Sequence, residues 1–68
     1  MNKMSNDMLS TNKDGRQVYT WYDRQTRLWI TQGKDKEGNQ IGDADYSPNK
    51  KVALFYHKDM SNKIFDEV

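Results

Sequence analysis

The stretch "SPNKKVALFYH", residues 47–57, decides the fold. Serine is a favoured helix N-cap, and proline suits the first helical position because its missing N–H has no intrahelical partner there. Val52, Phe55 and Tyr56 then recur at i, i+3 and i+4, an apolar stripe that could cover a sheet. A rival reading takes VALFYH as a short apolar strand after a Ser-Pro-Asn-Lys turn. The helix is preferred, starting near Ser47.

The chain ahead of it reads as strands. From Val18 to Tyr22 every residue is β-branched or aromatic, so Gln17 to Tyr22 suits a pleated surface. Asp23 to Thr26 is a polar turn, and Leu28 to Thr31 is a second strand. The loop from Gly33 to Asn39 leads into a third, Gln40 to Tyr46. The expected architecture is α+β, a three-stranded antiparallel sheet packed on one C-terminal helix. Residues 15–68 form this single βββα domain after the turn signal Asp14-Gly15. Residues 1–14, polar and without a sustained period, read as a flexible tail.

Strand parity assigns the faces. Leu28 and Ile30 share one face of the second strand, Trp29 and Thr31 the other. In the third, Ala44 and Tyr46 are expected inward, because burying Asp43 and Asp45 without partners would be costly. The first strand stays open: Val18, Thr20 and Tyr22 oppose Tyr19 and Trp21, and both sets carry aromatics.

Size and composition narrow the function. At 68 residues with no cysteine and one histidine, the chain has no disulfide and no thiolate or multi-histidine metal site. Stability must come from packed side chains, among them two Trp, four Tyr and two Phe. Eleven Lys and Arg against ten Asp and Glu leave a net charge of +1, a weak pull toward nucleic acid or anionic membrane. No apolar run of about 18 residues is present, and residues 1–14 lack the apolar stretch of a secretory leader. These features lead to the expectation of a cytoplasmic protein with no membrane partner.

Three patterns suggest chemistry. Asp35, Glu37 and Asn39 alternate like the start of a calcium loop, but the glycine falls early and Tyr46 stands where a closing acid belongs. Gly33 and Gly38 have phosphate-loop spacing without the Lys and Ser/Thr that complete it. Asp43 and Asp45, neighbours on one strand face about 7 Å apart, fall in the range of an acid pair but lack an enclosed cleft. His57 has no evident nucleophile partner and reads as a structural residue. The expectation is a non-enzymatic protein without cofactor or metal. A one-helix domain leaves one sheet face open, here read as carrying Trp29 and Thr31 beside Arg24 and Arg27. Exposed Trp and Arg are residue types favoured at binding hot spots.

From Trp29 to Tyr56 the order of strand, glycine-bearing charged loop, "QIGDADYS" and helix resembles the AP2/integrase arm-type DNA-binding fold, with Trp29, Gly38, Gly42 and Tyr46 in matching places. That resemblance implies DNA reading by the sheet, carried here by Arg16, Arg24, Arg27 and Trp29, while Asp43 and Asp45 would repel phosphate. The same pattern is also similar to small anti-CRISPR proteins from phages and mobile elements. This second resemblance implies a protein inhibitor that blocks a nucleic-acid-guided or nucleic-acid-processing complex. Arg24, Arg27, Trp29, Asp43 and Asp45 would then contact the partner, and the two acids would occupy a basic groove.

Overall fold

The computed structural model describes residues 8–66. Its elements run β1 (Met8–Lys13), β2 (Arg16–Asp23), β3 (Leu28–Lys34), β4 (Gln40–Ser47) and α1 (Lys50–Phe65). The strands form one antiparallel meander in the order β1-β2-β3-β4, and α1 packs across the middle of one face, over β2 and β3. The class is α+β as expected, but the sheet has four strands, not three. The additional strand is β1, from the segment read as tail; residues 1–7 lie outside the described part.

Asp14 and Gly15 create this strand pairing. Both have positive φ, 55° and 84°, as a two-residue type I′ hairpin turn requires, and such a turn returns the chain with the twist of its strands. Lys13 accordingly pairs with Arg16 and Leu9 with Thr20. β1 is polar because it is an edge strand, held by the backbone ladder more than by side-chain burial. At the next hairpin, Asp23 organises the turn: its carbonyl accepts from Arg27 N at 2.8 Å and its carboxylate from Thr26 Oγ1 at 2.7 Å.

The helix begins two residues later than a Ser47 cap would place it. Asn49 is the N-cap, its side chain accepting from Val52 N at 2.9 Å, a contact worth about 1 kcal/mol. Ser47 instead ends β4 opposite Trp29, and its hydroxyl donates to Asn49 O at 2.8 Å. The face that the helix buries is Ala53, His57, Met60 and Ile64. The Val52, Phe55, Tyr56 stripe does not cover the sheet: Phe55 is 65% exposed, Val52 lies on the surface and Tyr56 is half-buried.

The sheet surface under the helix explains that choice. It presents Val18, Thr20, Thr31 and Gly33, small residues that let the helix approach closely. A Cβ at Gly33 would collide with Ile64 Cδ1. Bulky aromatics do not fit there, and threonine hydroxyls need polar partners. His57 supplies them: Nδ1 lies 2.9 Å from Thr20 Oγ1 and Nε2 2.9 Å from Thr11 Oγ1, while Thr20 and Thr31 hydroxyls pair at 2.8 Å. Val18, Met60 and Ile64 form the apolar cluster beside this chain of hydrogen bonds, with Ile41 and Phe65 packed against it.

Candidate functional site

The sheet face away from α1 follows from the cross-strand register. Tyr19 lies opposite Gln32, Trp21 opposite Ile30, and Ile30 opposite Tyr46. These residues alternate with Val18, Thr20 and Thr31, which are buried beneath the helix. The open face therefore carries an aromatic and aliphatic centre spread over three strands. Tyr19 and Trp21 stack with centroids 5.0 Å apart and planes within 19°, while Tyr46 is 57% exposed.

Around this centre the groups are mostly uncharged. The Tyr19 hydroxyl donates to Gln32 Oε1 at 3.0 Å, Gln32 donates to Gln40 at 2.5 Å, and Gln17 donates to Ser10 at 2.7 Å. Lys34 holds its ammonium 5.3 Å from the Tyr19 ring centroid. The hydrogen bonds and stacking limit the rotamers of Tyr19, Trp21 and Gln32, so a docking partner would meet a surface with little side-chain entropy left to lose.

The residues singled out in the sequence do not converge on this face. Trp29 lies on the helix side, half-buried, its ring 5.2 Å from Tyr22 and 5.9 Å from the Lys50 ammonium. Thr31 is fully buried on the same side. Placing this pair on the open face was incorrect, because the helix needs the small residues Thr31 and Gly33 beneath it, and parity carries Trp29 along. Arg24 and Arg27 occupy the β2–β3 turn, Arg27 in a left-handed conformation with φ 60°. Arg16 is on the helix side, where Nη1 donates to Ile64 O at 2.6 Å in the last turn of α1 and Nη2 lies 3.6 Å from Asp14.

The inward placement of Ala44 and Tyr46 is also corrected. Tyr46 faces outward beside Ile30, whereas Asp45 pairs with Thr31 on the helix side. Three residues of β4, Gly42 to Ala44, lie opposite Gln32 alone, and Gly42 takes φ 67° to make this bulge. Asp43 and Asp45 consequently line a groove of about 420 Å³ between β4 and α1, floored by Ile41, Met60 and Ile64. The groove is open to solvent, so the burial cost that argued against an inward Asp45 does not arise. Asp59 across it is engaged by Lys63 at 3.3 Å.

The Asp35 carboxylate is committed to its own loop, accepting from Glu37 N at 3.0 Å and Asn39 N at 2.9 Å. Among the described residues no three His, Asp or Glu side chains gather as a metal site, and no helix is long and apolar enough to cross a membrane. The signal that could have identified the open face was the Thr31-x-Gly33 spacing, which marks the surface a helix can approach. No protein-family model, curated protein or solved structure matches this chain.

Proposed function

We propose that this chain is a small non-enzymatic binding protein that docks the open face of its sheet onto a protein partner. In this reading it blocks or modulates a nucleic-acid-handling complex, as its similarity to anti-CRISPR-type inhibitors implies. The observation that carries the proposal is the Tyr19–Trp21 stack beside Ile30 and Tyr46 on a face that α1 leaves uncovered. Both ring nitrogens of His57 are engaged by threonine hydroxyls, and Asp43 and Asp45 lie in a groove open to solvent, which supports a non-enzymatic reading.

A sheet that reads duplex DNA needs arginine or lysine among its face residues. Arg16 is turned to the helix terminus and Arg24 and Arg27 sit at a turn, while among the described residues Lys34 is the lysine held against the aromatic centre. The protein-binding reading is therefore favoured. Affinity capture from the native host with nuclease treatment should retain a protein partner, and Trp21→Ala should lose it, with a cost of about 2 kcal/mol or more for a hot-spot Trp. Recovery of nucleic acid alone, or capture indifferent to Trp21→Ala, would refute the assignment.

A further inference from the structure

β1 is the strand least held by the rest of the domain. Residues 9–13 are all exposed, and α1 lies over β2, β3 and β4. Beyond its backbone ladder with β2, two side-chain hydrogen bonds tie β1 to the other described residues. Gln17 Nε2 donates to Ser10 Oγ at 2.7 Å in an exposed position. Thr11 Oγ1 lies 2.9 Å from His57 Nε2, and this contact is the tie to the helix. A strand with little buried surface, hinged at the Asp14-Gly15 turn, is the kind of unit that opens while the rest of a domain stays folded.

β1 also covers one side of a buried titratable ring. Nδ1 of His57 is turned inward to Thr20 Oγ1 at 2.9 Å, and Nε2 is turned to β1. A protonated ring would donate to both hydroxyls and keep both bonds, so the cost of the charge is its burial without a counter-ion. On the helix side of the sheet the titratable groups are Lys13 on β1, Arg16 and Tyr22 on β2, and Asp43 and Asp45 on β4; β3 has none there. On α1, Tyr56 and Lys58 adjoin His57 in the chain, and Asp59 is paired with Lys63 at 3.3 Å. None of these carboxylates pairs with the ring, whose partners among the described residues are hydroxyls. Burial accordingly lowers its pKa from the ordinary 6.5.

We propose that β1 is a releasable strand latched by His57: a proton on the ring favours a state in which β1 has left β2 while β2, β3, β4 and α1 remain folded. Departure of β1 uncovers the Nε2 side, and water then solvates the charge that the closed domain disfavours. The open state restores the ring's ordinary proton affinity. Opening therefore becomes more frequent as pH falls through about 6.5, by at most about tenfold per pH unit for one proton. Release also bares the edge of β2, the strand that carries Tyr19 and Trp21, and an unpaired edge is a template for another strand. Mild acid thus adds a strand-pairing site beside the open face, whatever partner that face takes.

Amide hydrogen exchange of the whole chain at pH 7 and 5, corrected for the intrinsic pH dependence of exchange, tests this. At pH 7 the amides of the β1–β2 ladder should be at least about tenfold less protected than those of the β3–β4 ladder and of mid-α1. At pH 5 their protection should fall further, severalfold to about tenfold. His57→Gln should abolish this additional fall. Should that variant not fold, Thr11→Val, at an exposed edge position, should raise β1–β2 exchange about tenfold at pH 7. The proposal is overturned by equal protection of the β1–β2 and α1 amides, or by β1–β2 protection that does not change with pH. A pH effect that survives His57→Gln, or Thr11→Val without effect, would overturn the role of His57 as the latch.

Discussion

His57 shows how one residue can stand where an apolar one would be expected. It is 6% exposed, contacts Thr11 and Thr20 through its two ring nitrogens, and ties edge strand β1 to the helix. A neutral imidazole donates at one nitrogen and accepts at the other, which two hydroxyls can match in either tautomer. Burial disfavours the charged ring and lowers its pKa from the usual value of 6.5. The unfolded chain therefore takes up the proton first on acidification. Stability is full above the unfolded value and is lost as pH falls through about 6.5 toward the lowered folded value. Urea unfolding between roughly pH 7 and 5 should show this decline, with a slope of at most about 1.4 kcal/mol per pH unit for one proton. Since His57 is the single histidine, His57→Gln should flatten the profile; an unchanged slope would show that another group is responsible.

At the scale of elements, β1 and α1 show where local pattern is an incomplete guide. Asp-Gly is a strong hairpin signal, and a hairpin needs a strand on each side. The polar segment Met8–Lys13 is that strand, although its composition resembles a tail. Removing residues 1–13 would strip the β1 ladder from β2, leave His57 Nε2 without Thr11 and expose the edge beside Thr20. Loss of one buried hydrogen-bond partner alone costs about 1–3 kcal/mol, a large share of the margin available to a domain this small. The truncated protein should melt at least 10 °C or so lower or fail to fold. Unchanged melting would mean that β1 contributes nothing to stability. In α1, the helix itself was legible from its periodicity, but its buried side was not. Two overlapping apolar stripes exist, and the one with the larger side chains faces solvent.

Across the whole molecule, the two tryptophans should behave oppositely. Trp29 packs between Tyr22 and Lys50 near the junction of β4 and α1, so Trp29→Ala should destabilise the fold by about 2–4 kcal/mol, somewhat below the cost for a fully buried aromatic. Trp21 stacks on Tyr19 on the open face, and its removal should lower stability by about 1 kcal/mol, the scale of an aromatic pair. Paired denaturation curves check this contrast. A Trp29→Ala protein as stable as the parent would show that Trp29 is not needed at that junction, and equal large losses would place both rings in the core.

The sequence by itself determined three of the four strands, the C-terminal helix, the turns at Asp14-Gly15 and Asp23, and an aromatic-rich sheet with one covered face. Each rests on local rules: β-branched and aromatic runs, residues suited to positive φ, and a 3.6-residue period. Only the tertiary structure decided which face is covered. Strand parity leaves two choices, and the contest was settled by the close approach of α1 to Gly33 and by hydrogen bonding of Thr20 and Thr31 with His57. Those contacts join residues far apart in the chain, so no local window contains them. The same decision moved Trp29 from the open face to the helix side, exposed Tyr46, and put Asp43 and Asp45 in a groove against α1.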